Sequence, residues 1–469
     1  MLFLFVFIIE GLRMSEKYKV TFIGTGYVGL VTAACFAKIG MDKKAELDLT
    51  VFNNDIIEDK INIIKKGHSP FFEEGFNPIL KEVIDNKVLI PELNLEMCVK
   101  NSDILYICVG TPSKPTGEVD LSYIKNVAKD LGKILKSIDS YKRVCVKSTV
   151  VPETTRDIVG KTIEEISGKK IGKDFGLLFI PEFLREGNAV EDTLNPDRII
   201  IGEQNENDGI YMEKFYKNLF YNVPILRMSL ESAEMVKYAA NCFLATKISF
   251  ANEIASIAEK THNVDVGEVM KGVGSDSRIS PNFFNAGAGF GGSCFPKDVS
   301  AFISFSKERD YEPRILKSVL NKNYEQAIHV VDLARSLVLT FKDKIIAILG
   351  LSFKPGTSDM REAPAIKIIN KILEENPKLI KAYDPVAVEE AKQEFGNAIT
   401  YAESIEECLK DSDICIIVTE WPQFANIKPE LIKNLMKNKN IVDGRRIIDS
   451  KLFEKEFQVK IIGRGILSK

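Results

Sequence analysis

Histidine is scarce in this chain, with 3 in 469 residues, and none of the three (His68, His262, His329) stands at metal-ligand spacing from another histidine or from a cysteine. That removes the usual sequence basis for a zinc site, and no metal is expected. Cysteine occurs 8 times but never as a CxxC pair, and most of these residues sit in apolar runs where a thiol behaves as a small hydrophobe. Such usage fits a reducing cytoplasm rather than a disulfide scaffold. An excess of either charge is also lacking. With 63 Lys+Arg against 66 Asp+Glu the net charge is -3, so no basic field points to nucleic acid or to an anionic membrane surface. Residues 1–9 are almost wholly apolar, yet they span less than half of the roughly 20 residues a membrane helix requires. They also lack the charged start and cleavage site of a signal peptide. Met14 makes a natural alternative start, and residues 1–16 are expected to form an extension outside the fold. No low-complexity segment occurs.

What is present is the balance of a globular protein, 45% hydrophobic and 28% charged, with enough length for two or three domains. An α/β fold with two doubly wound, Rossmann-like domains is predicted, joined by a helical central domain. Residues 17–24 read as a buried strand and 28–39 as an Ala-rich helix. Further apolar, β-branched runs follow at 49–52, 104–109, 143–146, 177–180 and 198–201, spaced for helical crossovers and hence for a parallel sheet. Residues 230–260 contain no Gly or Pro and read as one long buried helix, a spine suited to pairing with a second copy in a homodimer. After Lys342 the α/β rhythm restarts, with strands at 344–350, 379–383, 413–418, 440–442 and 459–462. The expected domains are 17–222, 223–341 and 342–469, with linkers near 222–224 and 341–343.

Five segments carry chemistry. Gly24, Gly26 and Gly29 form a GxGxxG turn between a strand and a helix, which places a pyrophosphate at the helix N-terminus and predicts dinucleotide binding. Asn53 stands at the end of the second strand where a ribose-binding carboxylate is usual, after an insertion-like stretch at 41–48. Asp55, two positions on and on the same strand face, is the substitute, and NAD is favoured over NADP. Glu182 and Glu186 follow an apolar strand at the end where ligands bind, although two solvated carboxylates on a surface turn give the same pattern. Lys237 and Asn241 are four apart on the long helix and can converge on one oxygen, while a snorkelling lysine is the plainer reading. Cys294 lies among glycines with Lys297 three positions away, the exposure and positive neighbour that suit a thiolate nucleophile. A buried structural cysteine remains the alternative.

With the motifs taken together, the chain resembles the UDP-glucose/GDP-mannose dehydrogenase family from about Lys19 to Gly444. GTGYVG (24–29), CVGTP (108–112), KSTVVPETT (147–155), PEFLREG (181–187), NPDRIIIG (195–202), GFGGSCFPKD (289–298), LGLSFKPGTSDMREAP (349–364), TEW (419–421) and DGRR (443–446) carry the likeness in order. The resemblance implies a four-electron oxidation of a nucleotide-sugar's primary alcohol to a carboxylate, using two NAD in turn, with Cys294 holding the half-oxidised carbon as thiohemiacetal and then thioester. Lys237 and Asn241 are implied to support the C6 oxygen, Thr149 and Asp298 to hold water, and Glu182 and Glu186 to serve hydrolysis and substrate placement. Cofactor contacts are implied for Tyr27, Val28, Lys60, Thr111, Thr149, Glu186, Lys297 and Arg361. Substrate contacts are implied for Phe183, Leu184 and Arg185, for Phe290 and Gly291, and for Phe353, Lys354 and Arg445. Arg278 resembles an arginine that reaches the substrate of a neighbouring subunit. TEW and GFGGSCF are closer to the UDP-glucose branch than to relatives acting on GDP-mannose or UDP-N-acetylhexosamines. A two-electron hydroxyacid dehydrogenase has no use for Cys294 or for the second sheet domain.

Overall fold

The computed structural model of the chain describes residues 16–44 and 46–466. The expected extension at 1–16 therefore lies outside the described residues, except for Glu16, which opens the first strand. The chain divides into two compact units, one ending at Tyr238 and one beginning at Ala239.

In the first unit eight strands form one sheet: β1 (Glu16–Ile23), β2 (Leu47–Asn54), β3 (Leu89–Glu92), β4 (Ile104–Ile107), β5 (Lys142–Val146), β6 (Phe175–Phe179), β7 (Ile199–Glu203) and β8 (Ile225–Ser229). Their spatial order is β3-β2-β1-β4-β5-β6-β7-β8. Strand order reverses between β1 and β4, which creates the crevice at the carboxyl ends where ligands bind in open α/β sheets. Small residues let the helix Tyr27–Asp42 approach the sheet closely: a Cβ on Gly40 would stand 2.6 Å from the Leu49 side chain. On the same side Phe22 stacks on Tyr106 at 4.8 Å, and the Tyr106 hydroxyl meets that of Tyr216 at 2.8 Å, so the buried phenols satisfy one another.

The second unit repeats this topology with β9 (Ile345–Leu349), β10 (Leu379–Tyr383), β11 (Thr400–Tyr401), β12 (Ile414–Ile417), β13 (Asn440–Asp443) and β14 (Gln458–Ile461). Their order is β11-β10-β9-β12-β13-β14 and every pairing is parallel. Ahead of this sheet come the helices Val266–Gly274, Phe295–Lys307 and Arg314–Val338.

Three features depart from the sequence reading. The first sheet is not wholly parallel, because β6 and β7 run antiparallel. The sheet also continues beyond the linker expected at 222–224, since β8 pairs with β7 from Ile199↔Ile225 onward. Finally, the long helix, found at Leu230–Ala258, is not buried all round. Phe243, Phe250 and Ile257 are 64%, 48% and 55% exposed, and their seven-residue spacing makes one apolar stripe.

Candidate active site

At the end of β1 the backbone does what the glycine spacing requires. Gly24 has φ +109°, and a Cβ there would stand 2.8 Å from the Cys108 carbonyl oxygen. A Cβ on Gly29 would lie 2.1 Å from the Gly24 carbonyl oxygen, so only glycine allows the helix to start this close to the strand. Gly26, the N-cap of the helix that begins Tyr27-Val28, has open space where a Cβ would be, no side-chain cap, and no acidic residue in the first turn. The first N–H groups of that helix are left for an external anion, and the turn fits a dinucleotide pyrophosphate.

At the ribose position the structure separates the two residues that the sequence offered. Asn53 is buried, and its Nδ2 donates to the carbonyls of Phe22 at 3.2 Å and Gly24 at 3.4 Å, so it braces the turn from inside. Asp55, just past β2, is the carboxylate at the turn: its Oδ2 accepts from the Thr25 amide at 2.8 Å and the Thr25 hydroxyl at 2.5 Å. Burial raises its pKa, but the Thr25 and Ile57 hydrogen bonds and the Lys60 charge outweigh that and hold it below the ordinary carboxylate value. Thr111 and Thr149 follow β4 and β5, which are neighbours paired Ile107↔Val146, so both lie past the carboxyl ends of adjacent strands.

Beyond β6, Glu182 and Lys237 form a buried ion pair. Lys237 Nζ lies 2.9 Å from Glu182 Oε1, the Leu184 amide donates to Oε2 at 2.6 Å, and the two side chains are 3% and 8% exposed. Burial pushes the Glu182 carboxyl up, but Lys237, the Leu184 amide and Lys147 outweigh it and keep the group ionised. Phe183 lies under two cations, with the Arg198 guanidinium carbon 3.9 Å and the Lys237 ammonium 5.4 Å from its ring centre. Arg185 is exposed and bound to Asp192 through its amide, Nε and Nη2. The Glu186 corner is held from below, because the Gly187 amide donates to Glu73 Oε2 and to the Tyr27 hydroxyl, each at 2.7 Å.

In the second unit, Cys294 is the exposed N-cap of the helix Phe295–Lys307. Free N–H groups at a helix start favour an anionic sulfur. The loop before it is clamped from several directions. Asn323 accepts from the Phe290 amide at 2.7 Å and donates to the Phe290 carbonyl at 2.9 Å, and the Gly292 amide donates to the Arg361 carbonyl at 2.8 Å. Gly291 and Gly292 leave no room for a side chain: their Cβ atoms would stand 2.5 Å from the Glu362 carbonyl oxygen and 2.8 Å from the Phe353 ring. One helical turn past the sulfur, buried Asp298 takes Asn241 Nδ2 on Oδ2 and Lys297 Nζ on Oδ1, both at 2.6 Å.

The structure thus brings Lys237 onto Glu182 and Asn241 onto Asp298. Other expected contact residues have partners within the chain. Arg445 donates to the carbonyls of Val418, Gly289 and Phe353 at 2.6, 3.0 and 3.4 Å, so it braces the loop. Arg361 and Arg278 are exposed and hydrogen-bond Asp359 and Asp276. The Lys354 ammonium sits 5.5 Å from the Phe353 ring centre.

Among the buried charges to which the sequence reading gave no role are Glu73, Lys147 and Glu234. Glu234 accepts from the amides of Glu153 and Thr155 at 2.7 and 2.8 Å, and burial pushes its carboxyl up to about 7. Glu73 and Glu234 belong to no recognisable spacing, because each finds its partners across the fold. Among the described residues no group of His, Cys, Asp or Glu is placed to hold a metal ion, and no helix is long and apolar enough to cross a membrane.

All cysteines other than Cys294 are buried. Burial raises the thiols of Cys35, Cys98, Cys108, Cys242 and Cys408 to about 12 and those of Cys145 and Cys415 well above the ordinary value. Native protein treated briefly with iodoacetamide at neutral pH is therefore expected to take one label, mapped by peptide mass to Cys294, with the rest modified only after denaturation.

Three domain models of the UDP-glucose/GDP-mannose dehydrogenase family match: the NAD binding domain over residues 18–220, the central domain over 231–325 and the UDP binding domain over 347–450. The chain is 40% identical over 430 residues to the UDP-glucose 6-dehydrogenase TuaD of Bacillus subtilis, covering 92% of this chain and 89% of that protein. A UDP-glucose dehydrogenase structure from Pyrobaculum islandicum superposes with a TM-score of 0.87 at 34% identity, covering 97% of this chain and 99% of that one. A UDP-D-ManNAc dehydrogenase from Pyrococcus horikoshii superposes with a TM-score of 0.83 at 28% identity, covering 95% and 99%.

Proposed function

This chain belongs to the UDP-glucose/GDP-mannose dehydrogenase family, and from that premise we propose that it oxidises C6 of UDP-glucose to the carboxylate of UDP-glucuronate with two NAD⁺. The observation that carries the reading is Cys294, the exposed thiol at a helix start in a clamped glycine loop, with the Asp298 network one turn behind it. A two-electron dehydrogenase has no task for such a group.

The Gly24–Gly29 turn would hold the cofactor's pyrophosphate, Asp55 would serve its adenosine ribose, and Thr111 and Thr149, past the ends of adjacent strands, would line the same crevice. When bound, NAD⁺ supplies the hydride acceptor for each oxidation. In the first oxidation the C6 hydroxyl gives its proton to a water held by Thr149 and Asp298, and Lys237 and Asn241 donate to the oxygen as it gains charge. Cys294 thiolate adds to the aldehyde carbon, forming a C–S bond while the carbonyl pair becomes the alkoxide those donors receive. The tether keeps C6 aligned for the second oxidation and prevents a free aldehyde from escaping. After that oxidation C6 is a thioester. Water then adds to it, Glu182 accepts the water proton, the C–S bond breaks, and the sulfur leaves as thiolate. Glu182 suits this role because its surroundings keep it ionised.

The apolar stripe Phe243–Phe250–Ile257 supports a homodimer along the long helix, and Arg278 is assigned to the substrate of the second protomer. The thiol inventory, seven buried cysteines and one exposed, supports a cytoplasmic enzyme.

The test is stoichiometry across substrates. Two NADH per UDP-glucuronate are expected, with UDP-glucose turned over faster than GDP-mannose or UDP-N-acetylmannosamine, and NAD⁺ preferred to NADP⁺ because Asp55 repels a 2′-phosphate. One NADH per product overturns the mechanism, and a preference for another sugar overturns the substrate assignment.

A further inference from the structure

Glu73 lies in the loop between the helices Glu58–Lys65 and Phe76–Asp85, far in sequence from every motif described above. Its carboxylate is nonetheless 7% exposed and fully engaged. Oε2 accepts from the Gly187 amide at 2.7 Å and from the Tyr27 hydroxyl, and Oε1 accepts from the Ala189 amide at 2.7 Å. The Tyr27 hydroxyl in turn accepts from the Gly187 amide at 2.7 Å, closing a three-membered knot.

The knot joins two pieces of chemistry. Tyr27 is the first residue of the helix whose open N-terminus receives the cofactor, and Gly187 directly follows Glu186. Gly187 has φ +75°, so the corner is a left-handed turn that few side chains tolerate and that a fixed amide stabilises. Ala189 opens the helix Ala189–Leu194, whose N-cap Asn188 makes no side-chain cap bond, so Glu73 also supplies that missing acceptor. Charged acceptors of N–H and O–H donors hold geometry more tightly than neutral ones.

We propose that Glu73 is a positioning residue for the dehydrogenase: its carboxylate pins the Glu186 corner to the first turn of the cofactor helix, so that the two move as one body. It touches neither substrate nor cofactor. The inference rests on the function proposed above, since Glu186 and the helix start matter together only if a dinucleotide occupies the turn.

Glu73→Gln keeps the size of the side chain but turns one acceptor into a donor, which faces the Gly187 N–H and the Tyr27 hydroxyl in one orientation and the Ala189 N–H in the other. Tyr27→Phe removes the other half of the knot and leaves the amide contacts to Glu73 in place. Both variants are measured for NAD⁺ affinity by calorimetry, for the thermal shift that NAD⁺ induces, and for steady-state kinetics. With Glu73→Gln, NAD⁺ binding is expected to weaken about tenfold and kcat to fall roughly 10- to 100-fold, the scale of an ångström-level misplacement. UDP-glucose affinity is expected to stay within about threefold, since its proposed donors are held by other contacts. Tyr27→Phe is expected to give the same pattern more weakly, and Glu73→Asp to recover part of it. The pair is expected to be non-additive, because each change breaks the same knot.

Equal losses for NAD⁺ and UDP-glucose with a lowered melting temperature of the ligand-free protein overturn the inference in favour of a merely structural role. Unchanged NAD⁺ affinity and kcat in Glu73→Gln overturn it outright. If the parent enzyme fails to yield two NADH from UDP-glucose, the proposed function fails instead, while the NAD⁺ affinity comparison still judges Glu73.

Discussion

Replacing Cys294 with alanine is expected to stop uronate formation, by roughly 10⁴-fold or more, while leaving the fold and nucleotide-sugar binding intact. The two halves of that expectation have separate physical grounds. The sulfur is exposed and caps nothing: Cys294 sits at the N-cap of its helix without a side-chain cap bond, and its carbonyl, which receives the Asp298 amide at 2.8 Å, survives the change. The clamps on the loop come from Asn323 and the Arg361 carbonyl, not from the thiol. A melting temperature within about 2 °C of the parent is therefore expected, the scale of a surface substitution in a large chain. The chemical half is severe because no nearby group replaces the nucleophile. Asp298 and Lys297 are committed to each other, and Ser293 carries a hydroxyl too weakly acidic to serve. Paired assays of UDP-glucose binding and UDP-glucuronate yield check both halves. Undiminished uronate from the alanine variant would refute the covalent mechanism.

Much of the architecture was legible because it rests on local rules. Strand β10 was predicted at 379–383 and is found there, and the long helix was predicted to within two residues of its observed end. Both are strongly patterned segments flanked by clear breaks. Three strands were not foreseen, each for a reason. β3 reads LIPE and carries a proline, β11 is only two residues long, and β8 interrupts its apolar run with Arg227. That arginine pairs with Glu203 at 2.8 Å, a partner visible only once β7 and β8 lie side by side.

The functional residues divide along the same line. Gly24, Gly26 and Gly29 were readable because their spacing, between a strand and a helix, is a local pattern, although only Gly29 meets its steric demand within a few residues and Gly24 meets Cys108 of the neighbouring strand's end. Asp55 was harder to place, since the last residues of β2 alternate faces and sequence cannot say where the strand leaves the sheet. Asn53 turned out to face Phe22 and Gly24, and Asp55 to face Thr25. Glu73 and Glu234 were invisible, because what marks them is burial together with backbone donors 79 to 116 positions away. Arg445 was read from its motif as a substrate contact, and the structure adds three carbonyl partners within the chain that the motif does not name. A motif reports that a residue type is needed, not which partner it satisfies.

Lys237→Met is expected to be the most damaging single change in the first unit, and its pH dependence identifies the cause. The lysine and Glu182 are both almost wholly buried, 2.9 Å apart. Taking one partner from such a pair leaves an uncompensated charge in a poor solvent, a cost of about 3–5 kcal/mol at neutral pH. In the parent, Glu182 titrates below its ordinary value: burial pulls it up, but the lysine, the Leu184 amide and Lys147 outweigh that. It therefore contributes stability that is present above the unfolded carboxylate pKa, near about 4.3, and is lost as pH falls through the lower folded value. Without Lys237 the largest opposing influence is gone and burial raises the carboxyl above its ordinary value. The sign reverses, and the folded variant gains a proton before the unfolded chain does. The stability gap between parent and variant should accordingly shrink as pH is lowered from about 7.5 toward 5. Urea unfolding midpoints at the two pH values measure this, and a gap independent of pH would mean that Glu182 is not the group left exposed to the loss. Catalysis separates from stability in the double variant Lys237→Met with Glu182→Gln. With the charge removed, most of the lost stability is expected to return. Because Glu182→Gln also removes the proposed hydrolytic base, the readout is the first NADH formed in a single turnover, which precedes hydrolysis, and its rate is expected to stay down by about 10²–10³-fold, the usual cost of losing one donor to a developing oxyanion. A first-turnover rate recovering along with stability would show that Lys237 only holds the fold. Stability recovering while that rate stays low assigns it to the chemistry at C6.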